Sequence, residues 1–510
     1  MAQHTLYGRT SHRPTVIMGV VLVVTAFGNA SFGQNVWGSA SPDFGSVNTP
    51  HPINLATGTS NPSARATQSL NPYLGSTPYG VATAKTISLS LEDAVDRGLR
   101  FNLGLIDSQQ ARADVREQRA RALAALLPQI SARAEQTYQQ LSFKELNISL
   151  PPQTGIRLPP TTGQYGYSEA GITVQSEVLN LALIDRYREQ KALESASSMS
   201  TEDARDVVVF AVGVAYFQVV ASRARLKTAE ASLASALQLD SQVSDQYKSE
   251  VSPEIDLLRA HVELSSAQQR VVVAANDLEK DKLTFDRITG IPLEQAWTPE
   301  CEYDYIALPA DDAVSRRTTV ERFDLASAKE GVTAAELHLS AVKAERLPAI
   351  SLDASYGAGG VNPANYNQVD SVVGTVSVPI FTSGRIRSDI HEAESDLALR
   401  RAQFSDLQGR VDYDIRIARL DVRASESAVK VAGENRSLAE RAFKQSSDRY
   451  KDGVTNYLEV LEAQEALVAA DENYIASLFS FNVAKVSLAR ALGSAESRLP
   501  AYFDADQKTQ

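Results

Sequence analysis

Cysteine is nearly absent from this chain. Cys301 stands alone, so no disulfide forms within the chain, and its thiol reads as an inert small hydrophobe. Histidine is scarce as well. His4 and His12 lie at the very start, and His51, His261, His338 and His391 are too far apart to match any metal-ligand spacing. Phosphate-binding loops, nucleophile elbows and cysteine–histidine pairings are missing. The sequence therefore offers no cofactor, no metal site and no catalytic constellation, and it does not read as an enzyme. Basic clusters are lacking too: 50 Lys and Arg face 62 Asp and Glu, for a net charge of −12. That balance argues against nucleic acid, which is bound by basic residues meeting phosphates.

The apolar run near the start is short as well. The stretch from Val16 to Phe27 covers 12 residues, short of the roughly 20 a helix needs to cross a bilayer. Arg9, His12 and Arg13 precede it and Gly28-Asn29-Ala30 follows it. This is the pattern of a signal peptide over residues 1–30, cleaved after Ala30. No cysteine follows to carry a lipid anchor. From Gln34 to Ala84 the chain is rich in Ser, Asn, Thr, Pro and Gly, with Asp43 and Arg65 the only residues among Asp, Glu, Lys and Arg. The composition predicts a flexible extension over 31–86, with Trp37, Phe44 and Tyr73 as scattered anchors.

What the chain does contain, it contains twice. Tyr247-Lys-Ser-Glu-Val251 returns 203 positions later as Tyr450-Lys-Asp-Gly-Val454. Leu264, Val271, Leu278 and Phe285 fall every seventh residue, as do Leu467, Tyr474, Phe481 and Leu488, and the two runs end at Gly290 and Gly493. Leu127-Pro128 matches Leu347-Pro348, and Val174–Ile184 matches Val376–Ile386. A repeat of this length is a duplicated structural unit. The expected division is repeat 1 over 87–290, an irregular linker over 291–320, repeat 2 over 321–495 and a tail over 496–510.

Each repeat opens with helix, begun in the first at Leu91 with Ser90 as cap and stopped by the Leu-Pro pair. Period-2 alternation follows. Ile130, Ala132 and Ala134 alternate with Ser131, Arg133 and Glu135, and Ile350, Leu352 and Ala354 with Ser351, Asp353 and Ser355. Strands are expected near 129–140, 166–178, 349–358 and 369–380. About 10 residues with one apolar face suits a tilted membrane strand, although a half-buried sheet in a soluble domain alternates in the same way. The rest is helix. No proline occurs from Ala182 to Tyr247 or from Arg385 to Tyr450, which predicts helices of about 100 Å. Each turns back at its Tyr-x-x-x-Val tip to form helical hairpins over 181–289 and 385–492, with seams spaced as in coiled coils.

Four membrane strands cannot close a barrel alone, because lipid leaves edge N–H and C=O groups unpaired. Eight would give a filled interior, whereas Arg133, Glu135 and Asp353 on the polar face call for a watery one. More than two chains are needed.

With its duplicated hairpins, the passage Val376-Ser-Val-Pro379-Ile-Phe381-Thr-Ser-Gly384-Arg and the tip Tyr450-x-x-Gly453-Val454 followed by Leu458-Glu459-Val460-Leu461-Glu462, the chain resembles the TolC-like outer-membrane efflux family over residues 87–495. The resemblance implies a mainly α fold with a β-barrel contribution. It implies a homotrimer whose twelve-stranded barrel sits in outer-membrane lipid and whose helical tunnel meets a periplasmic adaptor and an inner-membrane transporter. It places an acidic gate ring at Glu459 and Glu462, tip closure at Tyr450 and Asp256, and adaptor contacts at Val251, Gly453 and Val454. The family's tip arginine falls at Thr455 and its first-tip glycine at Glu250, so both the closing salt bridge and the first tip depart from the pattern. The competing reading is an exported coiled-coil scaffold, or a periplasmic adaptor without a pore. It accounts for the heptads but not for four strands placed at matching points of the two repeats.

Overall fold

The computed structural model describes residues 71–143, 159–300, 305–308, 322–361, 366–493 and 495–503, all within one compact unit, Pro62–Gln510. The signal peptide, the extension as far as residue 70, Cys301, Pro151-Pro152 and most of the 291–320 linker lie outside the described residues.

Strand β1 is Ile87–Leu89, followed by helices α1, Leu91–Phe101, and α2, Leu103–Ala124. The hairpin β2, Gln129–Gln139, and β3, Tyr165–Leu179, leads into α3, Leu181–Lys248, and α4, Glu254–Thr289. The short strand β4, Trp297–Pro299, precedes the second round. That round comprises α5, Phe323–Ala344, the hairpin β5, Ala349–Gly360, and β6, Asn367–Ser377, then α6, Arg385–Lys451, and α7, Tyr457–Ala491. Helix α8, Ala495–Phe503, comes last. The fold is mainly helical.

The large sheet has the order β2-β3-β5-β6, with every neighbouring pair antiparallel. Residues directly opposite one another share a face, so the register tests the alternation across all four strands. Ile130 faces Val174, Val174 faces Ala354, and Ala354 faces Val372. On the other side Ser131 faces Thr173, Thr173 faces Ser355, and Ser355 faces Ser371. One face is thus predominantly apolar and the other carries the polar side chains. Among the described residues, strands β2 and β6 each keep one unpaired edge.

The helices earn their ends locally. The Ser90 hydroxyl accepts from the Asp93 N–H, and Asn180 and Asn456 cap α3 and α7 in the same way. In each repeat the first two seam residues of the return helix are half-buried and the last two buried: Leu264 and Val271, then Leu278 and Phe285; Leu467 and Tyr474, then Phe481 and Leu488. The apolar core sits where those buried seams meet the middle of α3, around Val208, Val212, Tyr216 and Val220. Helix α3 is the one described helix long and apolar enough to cross a membrane, but most of its apolar window is buried in this core.

Three features differ from the sequence reading. The first helical stretch is two helices, broken at Asn102, which ends α1 and caps α2. Its fully buried amide donates to the carbonyls of Tyr73 and Ile288, and its Oδ1 accepts from the Gly104 N–H. Asn102 satisfies main-chain groups from distant segments, and hydropathy does not register this. Second, residues 71–86, expected as the end of a flexible extension, are packed. Tyr73 lies over Gly104, where a Cβ would come within 2.4 Å of the ring. Tyr79 stacks on Phe101, and the backbone of Thr83 donates to Gln295. Strand β1 then pairs in parallel with β4. Third, the expected tail is helical from Ala495 to Phe503. Leu499 and Tyr502 are buried there, and the Asp206 carboxylate accepts from the Ala495 N–H.

Candidate functional site

The two helical hairpins bring their tips together within one chain. Leu239, Val243 and Ala260 from the first hairpin pack with Tyr450, Tyr457 and Val460 from the second. The rings of Tyr450 and Tyr457 meet edge-on at 6.0 Å.

The two turns have the same backbone. Val251 N–H donates to the Gln246 carbonyl and Val454 N–H to the Arg449 carbonyl, each at 2.9 Å. Glu250 N–H reaches the Tyr247 carbonyl as Gly453 N–H reaches that of Tyr450. These bonds close the helix ends and turn the chain back. The turn needs one left-handed residue, and Gly453 takes it at φ 72° while Glu250 takes it at φ 60°. The missing first-tip glycine therefore leaves the backbone path intact, and the cost falls on a residue with a Cβ. No atom lies within 4 Å of a Cβ built on Gly453, so only the backbone angle demands glycine there. Val251 and Val454 are 74% and 67% exposed, presenting apolar side chains at the outer face of each turn.

Tyr450 is 6% exposed, and its hydroxyl donates to Gln246 Oε1 at 2.5 Å. This bond ties the second hairpin to the first. Asp256 is buried close by, but its Oδ1 accepts from Arg259 Nη1 at 3.2 Å. Burial pushes the Tyr450 phenol above its usual range, and the Asp256 charge adds to that push. Burial, with Glu263 next in weight, drives Tyr457 to about 12, so both phenols stay neutral and Tyr450 keeps its proton for Gln246.

Glu459 and Glu462 lie in the first turns of α7. Glu459 is half-buried, and its backbone N–H is capped by Asn456. Its carboxylate accepts from Arg449 Nη1 at 3.2 Å and from the Thr455 hydroxyl. Glu462 is exposed and has no hydrogen bond or ion pair among the described residues. The structure thus brings Tyr450 to Gln246, Glu459 to Arg449 and Thr455, and Asp256 to Arg259. The sequence reading did not single out Gln246, Arg449 or Arg259. The repeat itself held the signal: the offset of 203 aligns Gln246 with Arg449, one residue before each tip tyrosine.

Beside the first tip, a shallow groove of about 570 Å³ runs along α3, lined by Gln238, Gln242, Asp245, Gln246, Ser249 and Val251. Among the described residues no His, Cys, Asp and Glu group has the arrangement of a metal site.

Comparison with known proteins fits this architecture. The family model for outer membrane efflux proteins matches residues 314–494, which is most of the second repeat. The pyoverdine export outer membrane protein OpmQ of Pseudomonas putida KT2440 is 24% identical over 407 residues, covering 76% of this chain and 83% of that protein. The cation efflux system protein CusC of Escherichia coli K12 is 23% identical over 334 residues, covering 62% and 71% respectively. The crystal structure of the Campylobacter jejuni CmeC outer membrane channel superposes with a TM-score of 0.71 at 17% identity, over 86% of this chain and 97% of that one, a likeness of fold. With both repeats, both hairpin tips and the four-stranded sheet in place, the chain is similar to the outer membrane efflux proteins in its second repeat and shares the fold of their channels.

Proposed function

We propose that this chain is the outer-membrane exit duct of a tripartite export system, a passive conduit from the periplasm to the exterior and not an enzyme. Its relatives are named as a pyoverdine export outer membrane protein and a cation efflux system protein. The observation that carries the reading is the sheet β2-β3-β5-β6, which has an apolar face and two open edges and stands on two helical hairpins. In lipid those edges must be paired. Joining β6 of one copy to β2 of the next around a three-fold axis closes twelve strands, leaves the polar face lining water, and sets the α3–α4 and α6–α7 hairpins below it as a tunnel. The hairpin tips then form the periplasmic end. Exposed Val251 and Val454, with the backbone turns at Glu250 and Gly453, face the adaptor, and an inner-membrane transporter lies beyond. Tyr450 and its bond to Gln246 hold the tips together, with Asp256 buried behind. Glu459 and Glu462 line the narrowing around the axis.

Fractionation separates this reading from a poreless scaffold or adaptor, which would appear in soluble extract. The duct is expected in outer membranes, to be released only by detergent, and to give stepwise cation-preferring conductance in a planar bilayer. Soluble recovery with no conductance would overturn it.

A further inference from the structure

We propose that Arg449 sets the ion selectivity of the periplasmic constriction by sequestering Glu459, so that Glu462 alone supplies the free carboxylate ring. The proposal rests on the reading of the tips as a trimeric gate, and its own observation is an ion pair within one chain. Arg449 lies in the last turn of α6 and Glu459 in the first turn of α7, on opposite sides of the tip turn. Their Nη1 and Oε1 atoms are 3.2 Å apart. The Thr455 hydroxyl holds the other carboxylate oxygen, and the Asn456 cap fixes the backbone from which Glu459 projects. Both oxygens are therefore occupied and one full positive charge stands beside them.

The first repeat shows the same arrangement by other means. Asp256 occupies the position equivalent to Glu459 and is also paired with an arginine, Arg259. Arg259 in turn aligns with Glu462. Of these four aligned positions, three are engaged in carboxylate–arginine pairs and only Glu462 has no partner among the described residues.

An exposed ion pair contributes little to folding stability, but it changes the field in a narrow passage strongly. Around a three-fold axis the Glu459 and Arg449 charges cancel and the Glu462 carboxylates remain. Hard multivalent cations require several oxygen ligands, and the paired Glu459 oxygens are not free to supply them. Removing Arg449 leaves Glu459 as a second free ring one helical turn from the first.

The test is block of single-channel current by La³⁺ added from the periplasmic side, measured on purified trimer in planar bilayers. Arg449→Gln is expected to tighten block about tenfold, the scale of one added set of oxygen ligands. Arg449→Lys, which keeps the charge, is expected to block like wild type. In a Glu459→Gln background, Arg449→Gln is expected to change block by less than about twofold, because the carboxylate it would free is gone. An equal effect of Arg449→Gln in both backgrounds would show a general field effect and overturn the pairing, as would no effect in either. Glu462→Gln separates this failure from failure of the gate itself: if block and cation preference survive that change, the constriction lies elsewhere and the functional reading of the tips falls. The mass of each variant in detergent confirms that assembled protein is compared.

Discussion

Asp286 is a carboxyl at odds with its surroundings. It is 3% exposed near the end of α4, among Phe285, Ile288 and Trp297. Burial raises its pKa to about 7, against the pull of the Trp297 indole N–H, which donates to Oδ1 at 2.7 Å. The unfolded chain titrates near the usual carboxylate value, so the folded state binds the proton more tightly. The stability from this group is full below about pH 4 and is lost as pH rises to about 7. Asp286→Asn keeps an acceptor for Trp297 and removes the charge. Wild type is expected to lose up to about 4 kcal/mol relative to the variant across that window, read as unfolding temperature against pH at one scan rate. Parallel curves would contradict the assignment. Lys485 is a second buried charge. It is fully enclosed, donates to the carbonyls of Ile306 and Tyr502, and sits 3.9 Å from the Phe503 ring centroid. None of these partners could be foreseen from a single position. Glu459 and Glu462 could be picked out from the sequence because they follow the tip motif by a fixed spacing. Arg449 and Gln246 could not, because their roles come from contacts across a turn or between hairpins.

At the scale of elements, strand and helix ends were legible to within a few residues, because proline, glycine and period-2 alternation mark them chemically. Strand β2 runs from Gln129 to Gln139, where the alternation predicts 129–140. The order of residues 71–86 was not legible. It rests on hydrogen bonds to Phe101, Gly290 and Gln295, partners 24 to 212 positions away. Asn102→Ala should show how much that clasp contributes. Loss of a cap and of two buried bonds is expected to cost about 2–3 kcal/mol, with faster proteolytic cleavage near residue 80 as the readout; unchanged cleavage would place the stability elsewhere. The tips give the complementary case. Glu250→Gly relaxes a left-handed residue and is expected to stabilise by about 1 kcal/mol, whereas Gly453→Ala imposes the same strain at similar cost. Gly453→Pro cannot adopt φ 72°. It is expected to abolish transport by the assembled system while the variant still reaches the outer membrane. Transport at the wild-type level would show that no partner reads this turn.

At the scale of the whole molecule, the two repeats solve one problem together. Each supplies two strands and one helical hairpin, and each hairpin buries only the half of its seam near the core, leaving Leu264, Val271, Leu467 and Tyr474 half-buried. The sheet likewise ends in two unpaired edges. Half-covered seams and open edges are liabilities in a lone chain, and copies arranged around an axis resolve both. On the proposed reading, strand count and the charged polar-face positions call for more than two copies, whereas their number depends on curvature that no local pattern encodes. The most direct test is native mass spectrometry of the protein extracted from outer membranes in mild detergent. A single species of three mature chains is expected, one that loses its mass only on denaturation. A monomer under the same conditions would contradict it, because four strands with two open edges could not then span the membrane.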